Sequence, residues 1–202
     1  MAFSWWAAGS SLGIFFGGLF VVTFLAPTAV LLASSFSGTA ANYCAVVCPI
    51  AFIWLIAVFQ TPDTAGQWLR SAIILFAYSL AISGIALMLA RFKFPPIFAS
   101  AIAMVIGLVW LTWPVWLSPS LVKNGADQTV ANLVRIHPPL TINGILTNEP
   151  AWTERSVAYH LTNLNQDIPI SLPESIWACV AVHGLIGLIL WSVAELGMAK
   201  RV

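Results

Sequence analysis

The sequence predicts an all-helical integral membrane protein with five transmembrane helices and one small lobe outside the membrane. Three observations predict it. Of 202 residues, 60% are hydrophobic and only 7% charged, with a mean hydropathy of +0.92, whereas a soluble domain carries about a quarter charged residues. The apolar residues fall into five runs near the roughly 20 residues that cross a hydrocarbon core. Between the last two runs lies a long polar segment with a large share of the charge. A net charge of +1 leaves no basic surface for nucleic acid.

The expected spans are Ala7–Ala33, Tyr43–Phe59, Arg70–Ala90, Pro96–Leu117 and Ile176–Met198. Turn chemistry bounds them: Ser34-Ser35-Phe36-Ser37-Gly38, Thr61-Pro62-Asp63, Pro95-Pro96 and Leu172-Pro173-Glu174. Met1–Gly9 lacks the positive region of a cleavable signal peptide. Pro27 is expected to kink the first span. The chain thus divides into a four-helix region (1–117), an outer lobe (118–175) and a fifth helix with a short tail (176–202).

Short-loop lysines and arginines set orientation. Arg91 and Lys93 share a side with Lys200 and Arg201, while the other side has Arg70 in a short loop, offset by Asp63. The C-terminus is therefore expected in the cytoplasm and the N-terminus outside. Trp5, Trp6, Trp68, Trp113, Trp116 and Trp177 then lie at the outer interface and Trp191 near the inner one, consistent with the interfacial preference of Trp. A bacterial cytoplasmic (inner) membrane is the expected location, which makes the lobe periplasmic.

The lobe is too long for a plain connection and too apolar for a disordered one, with Leu133, Val134, Ile142, Trp152, Val157 and Leu161. Helices are expected over Ala126–Ile136, with Val130, Leu133 and Val134 on one face, and from Asn148 to near Leu164. His137-Pro138-Pro139 is expected to be extended and Asn143-Gly144 to turn. Small and without cysteine, the lobe should lean on the membrane helices or on another protein. Trp152, Tyr159 and His160 are its candidate interface residues. Gly9, Gly13 and Gly17 form a small-residue ladder that lets two backbones approach, with Ser79, Ser83, Gly184 and Gly187 as candidate mates within the bundle or another subunit as the alternative.

His183 is the candidate for chemistry, an ionisable group roughly 10 Å inside its span. It could ligate haem, hydrogen-bond a quinone or relay protons. The bland alternative is a neutral imidazole bonded between helices, and bis-histidine haem ligation lacks a second intramembrane histidine. Trp113, Trp116 and Trp177 would complete a pocket for quinone, pigment or lipid, or simply anchor their helices; Trp110 lies on the same broad face of the fourth span.

Other patterns point to structure. His137 and His160, near acidic residues but without an HExxH or CxxC spacing, read as solvated or capping side chains. Cys44 and Cys48 read as packing residues, and no metal site is expected. Ser83 and His183 differ by about 10 Å in depth, too far for a Ser–His dyad. Glu195 can snorkel to the cytoplasmic basic cluster. With no nucleophile–base pair and no repeated broken helices, the expectation is a non-catalytic scaffold subunit docking other membrane subunits and a periplasmic protein. The alternatives are a redox, respiratory or photosynthetic subunit and an exporter permease with an ATPase partner at the Arg91–Lys93 loop.

Overall fold

The computed structural model describes residues 11–32, 38–45, 47–48, 65–145 and 171–198. Among these residues every regular element is a helix. In chain order they are α1 (Ser11–Leu31), α2 (Ala65–Arg91), α3 (Pro96–Trp116), α4 (Ser118–Lys123), α5 (Asp127–Ile136), α6 (Pro138–Ile145) and α7 (Trp177–Met198). Residues 38–45 are also helical.

Three helices, Ala65–Arg91, Pro96–Trp116 and Trp177–Ala194, are long and apolar enough to cross a membrane. α1 contributes a shorter apolar stretch, Gly17–Leu31, and most of the expected second span lies outside the described residues. α2 starts five residues before the expected Arg70, because Trp68 is buried and holds the added turn against the core.

Side-chain pairings fix how the helices run. Thr28 meets Ser100, while Thr23 and Tyr78 close on Gly107, so α3 runs against α1 and α2. Gly187 packs on Leu80 and Ala81, and Gly84 on Leu190 and Trp191, so α2 and α7 run in parallel. A Cβ at Gly187 would lie 2.8 Å from the Leu80 carbonyl carbon and 2.9 Å from the Ala81 nitrogen. The two backbones touch there, as small residues allow in helix packing. Gly187 therefore mates with α2; Gly184 has nothing within 4 Å of a Cβ position.

The main core gathers Leu19, Val22, Ile74, Tyr78, Ile82 and Leu111 from α1, α2 and α3. The outer faces remain apolar and exposed, with Ile97, Phe98 and Val105 on α3 and Leu185, Leu188 and Ile189 on α7. Hydrocarbon solvates such faces at no cost, whereas unsatisfied polar groups there cost several kcal/mol.

The helix ends follow local chemistry. After α2 the Lys93 N–H bonds Ala90 O and the Phe94 N–H bonds Leu89 O, with Lys93 in the left-handed region at φ 65°. This closes a Schellman motif, and Pro95 and Pro96 then open α3. Asn42 donates through its Nδ2 to Ala29 O at the far end of α1, at 3.0 Å, beside the Leu32 N–H that reaches the same carbonyl at 3.3 Å. The Arg91 guanidinium donates to Val193 O near the end of α7.

Beyond α3 the chain folds back onto the bundle. α5 buries Val130 and Val134 against Trp113 and Leu140, the face expected from its periodicity. α6 buries Ile142 and Ile145 in the main core. Two local expectations fail here. His137 is extended (φ −85°, ψ 117°), as a residue before proline should be, but Pro138 and Pro139 open a helix. Proline suits a first turn because the missing N–H would be unpaired anyway. Asn143 and Gly144 lie inside that helix rather than in a turn. Burial of Ile142 and Ile145 one turn apart, and Gly144 packed on Leu172 and Pro173, outweigh the local preference of Asn-Gly.

Candidate functional site

The polar centre of the molecule forms where α3, α7, α2 and the residue before α6 converge. Pro114 inside α3 has no N–H, so the Trp110 carbonyl loses its helical donor. Against this stretch lies His137, whose Nε2 is 3.2 Å from Leu111 O. Facing a carbonyl, that nitrogen carries the proton and donates. The His137 ring stands edge-on to Trp110 and to Trp113, with centroids 5.7 Å away in each case.

His137 is only 1% exposed. This corrects the expectation of a solvated or capping residue: α5 and α6 bring the short His137 link down onto α3, and its own aromatic neighbours exclude water. Burial pushes the imidazole down to about 3 from its ordinary 6.5, and the Leu111 carbonyl opposes the effect. His137 is therefore neutral. Its Nδ1 and the Trp113 Nε1 are buried without a hydrogen-bond partner among the described residues.

His183 sits on α7 on the other side of Trp110. The Trp110 Nε1 donates to His183 Nε2 at 3.0 Å. An indole N–H can only donate, so Nε2 holds a lone pair and the proton is on Nδ1, which donates to Cys179 O at 2.8 Å. Both ring nitrogens are thus engaged, and the ring is neutral. Cys179, one turn earlier, places its Sγ 3.7 Å from Nδ1. Tyr78 of α2 stands edge-on to His183 at 5.8 Å.

Tyr78 continues the polar line to α1. The Thr23 hydroxyl donates to Leu19 O at 2.7 Å, so across the 2.9 Å separation from Thr23 Oγ1 it is Tyr78 that donates. A parallel line serves the other side of α2: Ser79 donates to Phe76 O at 2.9 Å, and Tyr43 donates to Ser79 at 2.6 Å. Ser83 donates to Ser79 O at 2.7 Å, which occupies the hydroxyl considered for a dyad with His183.

The candidate residues are thus dispersed. His183 and Trp113 share the cluster through Trp110 and His137. Trp116 is 52% exposed and turns its Nε1 back to Val109 O at 3.1 Å. Trp177 is 68% exposed at the start of α7. Gly13 and Gly17 fall in α1, whereas Gly9, Trp152, Tyr159 and His160 lie outside the described residues. Among the described residues no three His, Cys, Asp or Glu side chains converge on a metal position.

Sequence reasoning singled out His183 but missed its neighbours Cys179 and Tyr78 and the burial of His137. The i, i+4 spacing of Cys179 and His183 was the available signal. The fold and this cluster define a helical membrane protein with a neutral, internally bonded histidine–aromatic centre. No family model, curated protein or solved structure matches the chain.

Proposed function

We propose that the chain is a non-catalytic membrane subunit that scaffolds a larger complex. The observation that supports this reading is where the polar side chains of the helices spend their hydrogen bonds. Thr23, Thr28, Ser71, Tyr78, Ser79, Ser83, Thr112 and His183 each bond within their own helix or to a neighbouring helix of the bundle. A carrier leaves intramembrane polar groups turned to a pathway, and an enzyme leaves them turned to a substrate. Here Thr23, Thr28, Tyr78, Ser79 and His183 tie elements together, and Ser71, Ser83 and Thr112 bond back to their own helices.

In this proposal the chain crosses the bacterial cytoplasmic membrane five times, N-terminus outside and C-terminus in the cytoplasm. The segment 118–175 docks a periplasmic protein through Trp152, Tyr159 and His160, and the Gly9, Gly13, Gly17 ladder meets another membrane subunit. Purification from native membranes in mild detergent tests it: one or more membrane proteins should accompany the chain in fixed stoichiometry. Recovery of the chain as a lone monomer contradicts it.

A second reading, a redox subunit with haem, quinone or pigment near His183, draws on the aromatic surroundings of that ring. It requires Trp110 to release Nε2. An optical spectrum and a quinone extraction of the same preparation separate the two readings. A fixed-stoichiometry ATPase would instead favour the exporter reading.

A further inference from the structure

We infer that the cleft between the first turns of α2 and α7 holds one anionic phospholipid, with its phosphate on the Arg70 guanidinium. The inference rests only on the bundle lying in a bilayer, not on the scaffold reading above. The cleft measures about 400 Å³ and is lined by Gly66, Leu69, Arg70, Ile73, Glu174 and Trp177, among others. Among the described residues nothing lies within 4 Å of a Cβ position at Gly66.

Depth places Arg70 at the headgroup level. From Arg70 to Arg91, both in α2, the helix rises roughly 32 Å at 1.5 Å per residue, close to the ~30 Å thickness of the hydrocarbon core. The two arginines therefore reach opposite interfaces together. Arg91 is already bonded to Val193 O. Arg70 has no ion-pair or hydrogen-bond partner among the described residues.

Charge favours an anion there. α2 and α7 both begin at this end without an acidic residue in their first turns, so two positive helix ends, each about half a unit charge, add to the guanidinium. Glu174 in the cleft lining and Asp63, two residues ahead of α2 in sequence, offset part of this. The apolar walls favour a lipid over a soluble anion: Leu69 and Trp177 are 63% and 68% exposed, giving an acyl chain a surface and the interface an indole anchor. Basic pockets between membrane helices bind lipid headgroups in this manner.

Native mass spectrometry of the detergent-solubilised full chain tests the inference, with dioleoylphosphatidylglycerol, dioleoylphosphatidylcholine and inorganic phosphate as probes. One phosphatidylglycerol should be retained about fivefold better than phosphatidylcholine, matching the ~1 kcal/mol that one basic residue adds at an anionic surface. R70Q should bring the two lipids level. Equal retention by the wild type, or unchanged preference in R70Q, overturns the site; displacement of the lipid by inorganic phosphate shows a free-anion site and overturns the lipid. Should R70Q not fold, brominated phosphatidylglycerol should quench wild-type fluorescence more than W177F fluorescence, and equal quenching overturns the site.

Discussion

Trp110 donates a hydrogen bond from its indole N–H to Nε2 of His183 at 3.0 Å, and that bond sets the state of the whole polar centre. It fixes the tautomer of His183, ties α3 to α7, and leaves Trp110 between two neutral imidazoles. His137 lies 5.7 Å from the Trp110 ring and His183 6.0 Å, centroid to centroid.

Loss of this bond should be measurable as a coupling. W110F removes the donor and leaves a buried acceptor, which costs about 1–3 kcal/mol. A double-mutant cycle of W110F with H183F, followed by denaturation in mixed micelles, should return a coupling near the average of about 0.6 kcal/mol for hydrogen bonds between membrane helices, whose maximum is about 1.7 kcal/mol. Strict additivity of the two variants contradicts the bond.

His137 makes stability depend on pH in a defined direction. Its folded value near 3 lies below its ordinary 6.5. Above about pH 6.5 neither state binds the proton, and nothing changes. Between the two values the unfolded ring binds a proton that the folded ring refuses, so stability falls as pH falls, by about 1.4 kcal/mol per unit. Below about 3 the effect levels off. The wild-type minus H137F difference in melting temperature should shrink on acidification from pH 7 to 5; a constant difference contradicts the buried neutral ring.

Much of the fold was legible because lipid-crossing helices announce themselves by length and apolarity. α3 and α7 begin within a residue of where Pro95-Pro96 and Leu172-Pro173-Glu174 place them, and the Val130–Val134 face of α5 follows its periodicity. What stayed hidden depended on tertiary contact. Asn143-Gly144 carries a turn signal that the burial of Ile142 and Ile145 overrides. The burial of His137 was hidden because Trp110, Trp113 and Leu111, which enclose it, come from a helix 26 residues or so earlier. The position of His183 inside its span points to a neutral, interhelical imidazole, but not to its donor, since Trp110 is 73 residues away in sequence.

The α2–α7 crossing reverses an ordinary helix preference. Gly→Ala in a helix interior usually gains up to about 1 kcal/mol. At Gly187 the added methyl meets the Leu80 and Ala81 backbone within 2.9 Å, so G187A should destabilise by about 1–3 kcal/mol through overpacking. G184A, with open space at its Cβ, should be neutral or stabilising in the same denaturation assay. Equal responses of the two variants contradict the crossing.

The turn after α2 holds a lysine where a Schellman motif ordinarily holds glycine. Lys93 at φ 65° bears a left-handed cost of about 1–2 kcal/mol, part of which glycine returns through a freer unfolded chain. K93G should therefore stabilise by up to about 1 kcal/mol, read as a raised melting temperature. A lowered one contradicts the left-handed assignment.

The proposed role as a structural member of a larger membrane assembly is tested most directly by the mass of the chain in native membranes. Blue-native electrophoresis after mild solubilisation should place the 21.8 kDa chain in a discrete, larger species. The double variant W152A/Y159A, with an unchanged melting temperature, should release it from that species. A wild-type chain that migrates alone, or a complex indifferent to both tryptophan and tyrosine, contradicts the account.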